Sequence, residues 1–308
     1  MKTSVAAVAL AALAALAVAP VLKAGDKAAG GLRYSVTVSE FENRSGWHGQ
    51  WDLGDAWGMV LTDLLQQTGR FIVLGESDMR EASMQEQDLA ASGRTAGGKK
   101  APETGQMTPA QLLVKGAITH VQHDTKGGGG GLRVKGFGMG GGGSQAEINA
   151  TIYIVDSTTG QVLASKSVVG TSKSKAGRFS YSGSNWGGNA GAFKNDNVGK
   201  AVESACSEAV DFMTGQLPNI AWTGSVVMVK GDKVYVNRGE REGLQPGSSL
   251  LVGHSEVIRD PDTGEVLDEE VTRIAQLQCD SVKEKLSICS VTGGSAQAVK
   301  KGMTVRAD

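Results

Sequence analysis

Between Gly127 and Gly143 the chain places eleven glycines in seventeen residues, within a region that otherwise has the pattern of an α/β domain. Because glycine loses more backbone entropy on ordering than any other residue, such a segment is either disordered or ordered only against its neighbours. Strand-like sequence on both sides favours a β-hairpin that extends from a compact domain and assembles with copies of itself. A disordered segment would fit a soluble envelope protein, and a hairpin that assembles with its copies would fit a membrane-inserted oligomer.

The first 24 residues have the pattern of a cleavable secretory signal. Lys2 supplies a positive charge, an unbroken run of Ala, Val and Leu extends from Val5 to Ala19, and further small residues follow. The apolar run of about fifteen residues is short for a membrane-spanning helix. No cysteine occupies the expected cleavage site, so we expect no lipid anchor there. The mature protein is predicted to begin near Gly25, in the periplasm or associated with the outer membrane.

Composition narrows the function classes. The chain has 308 residues and a net charge of −1, and its lysines and arginines are scattered. This distribution lacks the basic face of a nucleic-acid-binding protein. The mature length predicts two domains, an α/β domain over residues 25–217 and a small all-β domain over residues 223–308. No second apolar stretch suits a transmembrane helix, so any membrane insertion would be of the β-barrel type.

Three helices are predicted from apolar stripes and their caps. Asp52 or Asp55 is expected to cap the first, and a residue near Asp196 the last. Asp78, with Glu81 three residues later, resembles a capping box for the second. The expected buried stripes of the first and last helices are Leu53, Trp57, Val60, Leu61, Leu64 and Leu65, then Val198, Ala201, Val202, Ala205, Cys206, Ala209, Val210, Met213 and Leu217.

Strand patterns alternate with these helices. Residues 32–38 alternate apolar and polar side chains, which predicts a half-buried strand, and residues 146–154 show the clearest alternation in the chain. Thr108-Pro109 predicts a short helix, because threonine caps and proline suits the first turn. Beyond Trp222 the pattern is β throughout, with a tight hairpin at residues 230–233. The second domain is therefore predicted to be a small barrel or sandwich.

Five short motifs occur in order along the first domain: YSVTVSEFEN (34–43), TGRFIVLGE (68–76), EQDL (86–89), the tract 126–147 with GFGMG (136–140), and DSTTGQVL (156–163). Together they resemble the curli production assembly/transport proteins, the CsgG family, over roughly residues 32–217. The order of the motifs makes the resemblance more specific than any one of them.

The resemblance implies a periplasmic α/β domain from which glycine-rich β-hairpins extend, at about residues 124–150 and 166–195. In channel members of the family, two hairpins per subunit join those of neighbouring subunits in an outer-membrane barrel. The implied assembly is a homo-oligomeric ring. Its implied partners are the outer membrane and exported polypeptides, or other envelope assembly proteins.

The resemblance also implies a functional site. In such channels the loop after the first strand forms a narrow constriction of the pore, and this loop corresponds to residues 43–53 here. Trp47, Gln50 and Trp51 are then the candidates to line the constriction. In the alternative interpretation, the two tryptophans cover a subunit edge or the core of their own domain.

Two features depart from the channel pattern. Channel members are commonly anchored through a lipidated N-terminal cysteine, and this chain has none. The second hairpin is also polar, with Lys173, Lys175 and Arg178 among small residues. A lysine or arginine at the bilayer midplane costs about 2–4 kcal/mol, so neither face of this hairpin is a convincing lipid-facing surface.

The second domain has a shorter resemblance of its own. Residues 231–238, GLQPG (243–247) and DPDTGEVL (260–267) resemble the small SH3-like β-barrel at the end of flagellar assembly T proteins. Those proteins form a ring around the outer-membrane end of the flagellar motor. This architecture therefore suits soluble envelope rings as well as pores.

Two motifs that resemble binding sites are expected not to be sites. Gly136-x-Gly138-x-x-Gly141 matches a dinucleotide fingerprint, but a strand follows it where that fingerprint needs a helix. His120 and His123 are three residues apart on a strand, a spacing that directs the imidazoles to opposite faces. We therefore expect no cofactor and no metal site.

A repeated motif predicts two similar turns. Asp156 and Asp260 each begin a D-x-x-T-G-x-V-L sequence, in which the aspartate is expected to bond the backbone and Gly160 or Gly264 to take positive φ. A calcium loop of the EF-hand type is not expected at Asp260, because glycine is not at position six and position twelve carries no carboxylate.

Three cysteines in an exported protein predict one disulfide and one remaining thiol. Cys279 and Cys289 lie on two adjacent predicted strands and are the expected pair. Cys206 lies on a helix stripe and is expected in the core. The sequence has no Gly-x-Ser-x-Gly elbow and no Cys/His/Asp grouping, so we expect no catalytic residue and no enzyme activity.

These patterns favour a transport role. The protein is predicted to be a subunit of an oligomeric outer-membrane secretion channel that acts by passive, size-limited passage. The alternative is a soluble periplasmic ring or scaffold protein of an envelope or flagellar assembly.

Overall fold

A computed structural model describes residues 31–123, 145–173, 181, 193 and 195–308, apart from residue 265. The predicted signal peptide and the glycine tract lie outside the described residues, as does most of the second predicted hairpin. The described chain forms a mixed α/β part followed by a small barrel, as the sequence predicts.

The α/β part contains a six-stranded sheet. Its strands are β1 (Tyr34–Val38), β2 (Glu42–Asn43), β3 (Phe71–Val73), β4 (Leu112–His123), β5 (Ala146–Asp156) and β6 (Val162–Thr171), and its helices are α1 (Leu53–Thr68), α2 (Ser77–Ala91) and α3 (Asn197–Gln216). The strand order is β3-β1-β4-β5-β6, with β2 paired to β4. β1 pairs in parallel with β3 and β4, whereas β4, β5 and β6 form an antiparallel meander.

Strand β1 is buried on both faces, not half-buried as predicted. Its neighbours β3 and β4 cover its two edges, and its two faces are covered by helix α1 and by the segments that contain Gly75 and Pro109. The two polar side chains are instead satisfied internally: Ser35 Oγ donates to the Pro109 carbonyl (2.9 Å), and Thr37 Oγ1 donates to the Gly75 carbonyl (2.7 Å). Small hydroxyl side chains can be buried when each finds a hydrogen-bond acceptor. The alternation of apolar and polar residues in this strand therefore does not mark an exposed face.

The predicted caps and stripes of α1 and α3 are confirmed. Asp52 accepts a hydrogen bond from the Asp55 N–H (2.9 Å), and Asp196 accepts one from the Val198 N–H (3.0 Å). α1 ends at Gly69, whose φ of 62° closes the helix in the left-handed conformation. Every residue of both predicted stripes is buried. The two helices pack against each other and against the sheet, and this contact forms the core of the α/β part.

The other two helix predictions need correction. α2 forms, but its N-cap is Glu76, with no side-chain hydrogen bond at the cap, so the predicted Asp78 capping box is wrong. No residue of α2 is buried. Thr108-Pro109 is not helical. The segment runs beside β1, where the Gln111 N–H donates to a β1 carbonyl (3.0 Å), and pairing with this central strand outweighs the local helix signal.

Strands β5 and β6 shorten the predicted hairpins. The apolar side chains of β5 lie in the core, so residues 146–150 belong to the domain sheet. Residues 166–171 likewise belong to β6, which pairs with β5 along its length. The remaining hairpin residues, 124–144 and most of 174–194, lie outside the described part of the chain.

The second part is a closed six-stranded barrel. Its strands are β7 (Thr223–Lys230), β8 (Lys233–Val236), β9 (Ser249–Arg259), β10 (Val266–Val282), β11 (Ser287–Gly294) and β12 (Thr304–Ala307), in the order β10-β11-β8-β7-β12-β9. A barrel was one of the two predicted alternatives. The tight hairpin is confirmed, with Lys230 paired to Lys233 and Gly231 at a φ of 61°. The SH3-like resemblance stays a prediction.

The two repeated turns are confirmed. Asp156 Oδ1 accepts from the N–H groups two and three residues on, at 2.8 and 2.9 Å. Asp260 Oδ1 makes the same two bonds, each at 2.8 Å. Gly160 and Gly264 have φ values of 72° and 75°, which favour glycine. The repeated motif therefore encodes a turn and not a duplicated binding site.

Hydrogen bonds connect the α/β part to the barrel. The Tyr34 hydroxyl donates to the Ile220 carbonyl (2.7 Å), just before β7 begins. The Arg33 N–H donates to the Glu242 carbonyl (3.0 Å), and Arg241 Nη1 donates to Thr108 Oγ1 (3.1 Å). Both sides of the junction therefore contribute backbone and side-chain groups.

Candidate functional site

The aromatic loop, residues 43–53, is fixed at both ends. It leaves β2, which pairs with β4, and it reaches the Asp52 cap of α1. Asn43 is its hydrogen-bond centre: Nδ2 donates to the Trp47 carbonyl (2.8 Å), and Oδ1 accepts from Ser45 N–H (3.1 Å) and Ser45 Oγ (2.7 Å). An Asn-x-Ser sequence thus folds as a side-chain-bonded turn that holds Trp47 in place.

Four aromatic rings connect this loop to the core. The rings of Trp47 and Trp51 lie 4.7 Å apart, centroid to centroid. Trp51 meets Phe193 edge-on at 5.1 Å, and Phe193 meets Tyr181 edge-on at 5.8 Å. Edge-to-face pairs at such distances contribute about 0.5–1.5 kcal/mol each beyond burial. The loop is therefore held by ring packing as well as by hydrogen bonds.

The three predicted constriction residues have different environments. Trp51 is 6% exposed and lies in the core. Trp47 is half-buried against it, and Gln50 is exposed. All three residues, together with His48, line a depression of about 390 Å³ on the loop surface. The structure thus brings Trp47 and Trp51 into contact but leaves Gln50 and part of Trp47 to meet a ligand or a neighbouring chain.

Sequence reasoning missed several members of this site. Asn43 and His48 lie within the predicted loop but were not singled out. Phe193 and Tyr181 come from the polar excursion after β6, where isolated aromatic residues were the available signal. Aromatic residues in an otherwise polar stretch indicate a segment that packs back onto the domain.

The loop and both predicted hairpins meet at one end of the sheet. β4 ends at His123, which is paired with Ala146 at the start of β5. The next residue of β5, Glu147, is paired with Thr171 at the end of β6. β2 runs parallel to β4, so the aromatic loop leaves it toward this same end. Three segments with predicted roles in transport therefore depart from one side of the domain.

An acidic cavity of about 450 Å³ lies between the start of α1 and the start of α2. Its carboxylates are Glu40, Asp55, Glu76, Asp78 and Glu81. Burial raises the pKa of Glu76, and the neighbouring carboxylates of Asp78 and Asp55 raise it further. Burial also raises the pKa of Asp55. Within the described residues no group of histidine, cysteine and carboxylate side chains is arranged to hold a metal ion.

The expected disulfide partners are neighbours. Cys279 on β10 is paired directly with Cys289 on β11, and their sulfur atoms lie 3.3 Å apart as free thiols. The hydrogen bond between them and burial raise the pKa of Cys289, while the same bond lowers the pKa of Cys279. The disulfide stays a prediction. Cys206 is fully buried on α3, as predicted, and burial raises its pKa.

Residues 21–246, which contain the aromatic loop and the whole sheet, match the family model described as the curli production assembly/transport component CsgG. The chain belongs to the CsgG family. The predicted resemblance is thereby confirmed, and with it a role among cell-envelope assembly and transport components. No curated protein has a significant sequence match to the chain.

Solved structures to which the chain is similar include the PelC dodecamer from Paraburkholderia phytofirmans, at 12% identity over 59% of this chain and 92% of that one, with a TM-score of 0.30. The hypothetical protein CT253 from Chlamydia trachomatis shares 13% identity over 59% of this chain and 96% of that one (TM-score 0.35). Lipoprotein GNA1162 from Neisseria meningitidis shares 18% identity over 61% and 99% (TM-score 0.28). Likenesses at this level carry no functional inference for this chain.

Among the residues that the structure describes, no helix is both long enough and apolar enough to cross a membrane.

Proposed function

We propose that this CsgG-family protein is the subunit of a homo-oligomeric secretion channel at the outer membrane, through which polypeptide passes passively. The supporting observation is the common end of the sheet. The aromatic loop, the glycine-rich residues 124–144 and the excursion after β6 all leave the domain there. In a ring of such subunits, the segments directed to the membrane and the loop that forms the constriction would lie at the same end of the ring.

The loop supplies a constriction without a catalytic group. Asn43 fixes the backbone at Trp47, and Trp51 anchors the loop to the core through Phe193. Gln50 and the exposed part of Trp47 then project from a rigid support. A passing chain would be limited by size and by contact with amide and aromatic surfaces, with no bound cofactor required.

A soluble periplasmic ring or scaffold is the second candidate. The observation that favours it is the burial of Trp51, whose indole is 6% exposed and packs in the domain core. In addition, the alternating apolar face of β5 packs on the helices, so it is not available to lipid. In this case the glycine-rich segments would pack on neighbouring subunits.

Fractionation distinguishes the two candidates. The channel predicts that the processed protein sediments with the outer membrane and needs detergent to yield a ring. The scaffold predicts a protein that carbonate extracts and that forms its ring in water. A ring visible by negative-stain imaging only after detergent extraction would support the channel, and a water-soluble ring would refute it.

Single-channel recording tests the constriction. Trp47→Ala and Gln50→Ala are expected to raise the conductance of the reconstituted protein, because each removes bulk from the proposed opening. Val162→Ala is the matched control, since Val162 is 51% exposed but begins β6 at the opposite end of the sheet. Unchanged conductance in both loop variants would remove the loop from the pore.

A further inference from the structure

The hairpin of β9 and β10 extends beyond the barrel as an arm. β9 pairs with β12 only over residues 250–253, and β10 pairs with β11 only from residue 275 onward. Between these points the two strands pair only with each other, up to the turn at Asp260. We call residues 255–271 the acidic arm, because this segment has seven carboxylates and one arginine in a chain whose net charge is −1.

The acidic arm exposes apolar side chains near its tip. Val257, Ile258, Val266 and Leu267 are 43%, 44%, 46% and 59% exposed. Ile258 follows Glu256 by two residues and shares its face of the hairpin, where exposed apolar and charged side chains together mark a surface for a partner. A two-stranded hairpin is also marginal in water without something packed on it.

Two like charges face each other across the arm. Glu256 on β9 is paired with Glu270 on β10, and a directly opposed pair of like charges destabilises a hairpin. Among the described residues, the salt bridges include none to either carboxylate, whereas Glu269 on the same hairpin meets Arg306 at 3.7 Å. A cationic partner seated on the arm would relieve this repulsion.

The barrel carries a surface with the complementary chemistry. Val227, Met228 and Val229 on β7 are 40%, 43% and 37% exposed. Lys230 follows them, and the turn with Lys300 and Lys301 lies alongside. The Gly302 N–H donates to the Val226 carbonyl (2.8 Å), which holds that turn against β7. We call residues 227–230 with Lys300 and Lys301 the basic ridge.

The arm and the basic ridge project from the same end of the barrel but on different sides of it. Antiparallel pairing around the barrel gives β7 and β9 the same direction, so the hairpins that follow them point the same way. β12 separates the two hairpins on one side and β11 on the other. The exposure of both apolar sets indicates that neither covers the other within one copy.

We propose that the acidic arm of one copy docks on the basic ridge of the next copy. The contact is head-to-tail, because two different surfaces meet, and contacts of this type form a ring when the rotation between successive copies closes. It buries apolar residues of both surfaces and places Glu256 and Glu270 near lysines. The inference rests on the proposed homo-oligomer and names the surfaces through which its barrels associate.

Mixed cross-linking of full-length mature protein tests the contact. Ile258→Cys in one preparation and Met228→Cys in another are combined and oxidised, the three native cysteines being buried. A covalent dimer is expected from the mixture and not from either variant alone. The matched control replaces Ile258→Cys by Val169→Cys, because Val169 is 48% exposed but lies on β6. No cross-link in the mixture, or equal cross-linking by Ile258→Cys alone, would overturn the head-to-tail contact.

Charge reversal provides the second measurement, by sedimentation velocity at low salt. Glu256→Lys with Glu270→Lys, or Lys300→Glu with Lys301→Glu, should each raise the dissociation constant between copies about tenfold. Combining all four substitutions should restore association. If wild-type protein assembles and neither reversal weakens it, the interface is wrong and the proposed function stands. If wild-type protein stays monomeric with and without detergent, both proposals fail.

Discussion

Trp51→Ala separates a structural role of the aromatic loop from a role in passage. The indole is 6% exposed and has two ring neighbours, Trp47 at 4.7 Å and Phe193 at 5.1 Å. Removing it leaves a cavity beside the N-terminus of α1 and frees the loop from the core. The substitution should therefore act first on stability.

The expected loss follows from burial and ring contacts. A buried tryptophan removes about 200 Å² of surface from water, worth about 5 kcal/mol at about 25 cal/mol per Å². Relaxation of the site lowers this figure, and aromatic-to-alanine changes in cores cost about 3–5 kcal/mol. Trp47→Ala, at a half-buried side chain with one of these ring contacts, should cost about 1–2 kcal/mol. Gln50→Ala, at an exposed side chain, should lie within about 0.5 kcal/mol of wild type.

Urea unfolding followed by far-ultraviolet circular dichroism measures these differences. The midpoint should fall in the order Gln50→Ala, Trp47→Ala, Trp51→Ala, with an unchanged denaturant slope. Trp51→Phe is the control, because it retains an aromatic ring against Phe193. A Trp51→Ala variant as stable as Gln50→Ala would refute the assignment of Trp51 to the core and return it to the exposed constriction.

Four further substitutions test other parts of the structure. Burial raises the folded-state pKa of Glu76 above its ordinary 4.5, so the folded protein holds this proton more tightly than the unfolded chain. Stability from this group therefore rises as pH falls from neutral toward the raised pKa, and Glu76→Gln should reduce the gain in unfolding free energy between about pH 7 and pH 5. Oxidation of Cys279 and Cys289 should add about 2–3 kcal/mol to the unfolding free energy, measured with and without reductant, and Cys279→Ser should abolish the difference. Asp156→Ala and Asp260→Ala should each cost about 1 kcal/mol in thermal unfolding, because each removes two hydrogen bonds from backbone N–H groups of an exposed turn.

The elements that the sequence predicted well are those whose signals lie within their own residues. α1 and α3 combine an aspartate cap with an apolar stripe, and both features were sufficient to locate them. β5 alternates over its whole length and faces a helical layer. Thr108-Pro109 shows the opposite case. Its local signal favours a helix, but the segment pairs beside β1 instead. That pairing depends on residues far away in the sequence, so the local pattern does not indicate it.

The candidate site was predictable in position but not in burial. The family resemblance located Trp47, Gln50 and Trp51, but no local pattern assigns Trp51 to the core. That assignment depends on Phe193, which follows most of the second excursion. The acidic arm was likewise not predicted from the sequence. The arm projects because β11 and β12 stop pairing with β10 and β9, and the sequence does not show where that pairing ends.

Deletion of residues 126–143 tests the two proposals together. The proposals assign association between copies to the barrel and passage of polypeptide to the segments that leave the sheet. The glycine-rich segment leaves the sheet beyond β4, whereas the acidic arm and basic ridge lie on the barrel. If the barrels associate as proposed, the deletion variant should still form cross-links between residues 258 and 228. As a channel subunit it should at the same time lose outer-membrane retention and conductance. Loss of the cross-link together with membrane retention would show instead that the glycine-rich segment drives association, and the barrel interface would then be wrong.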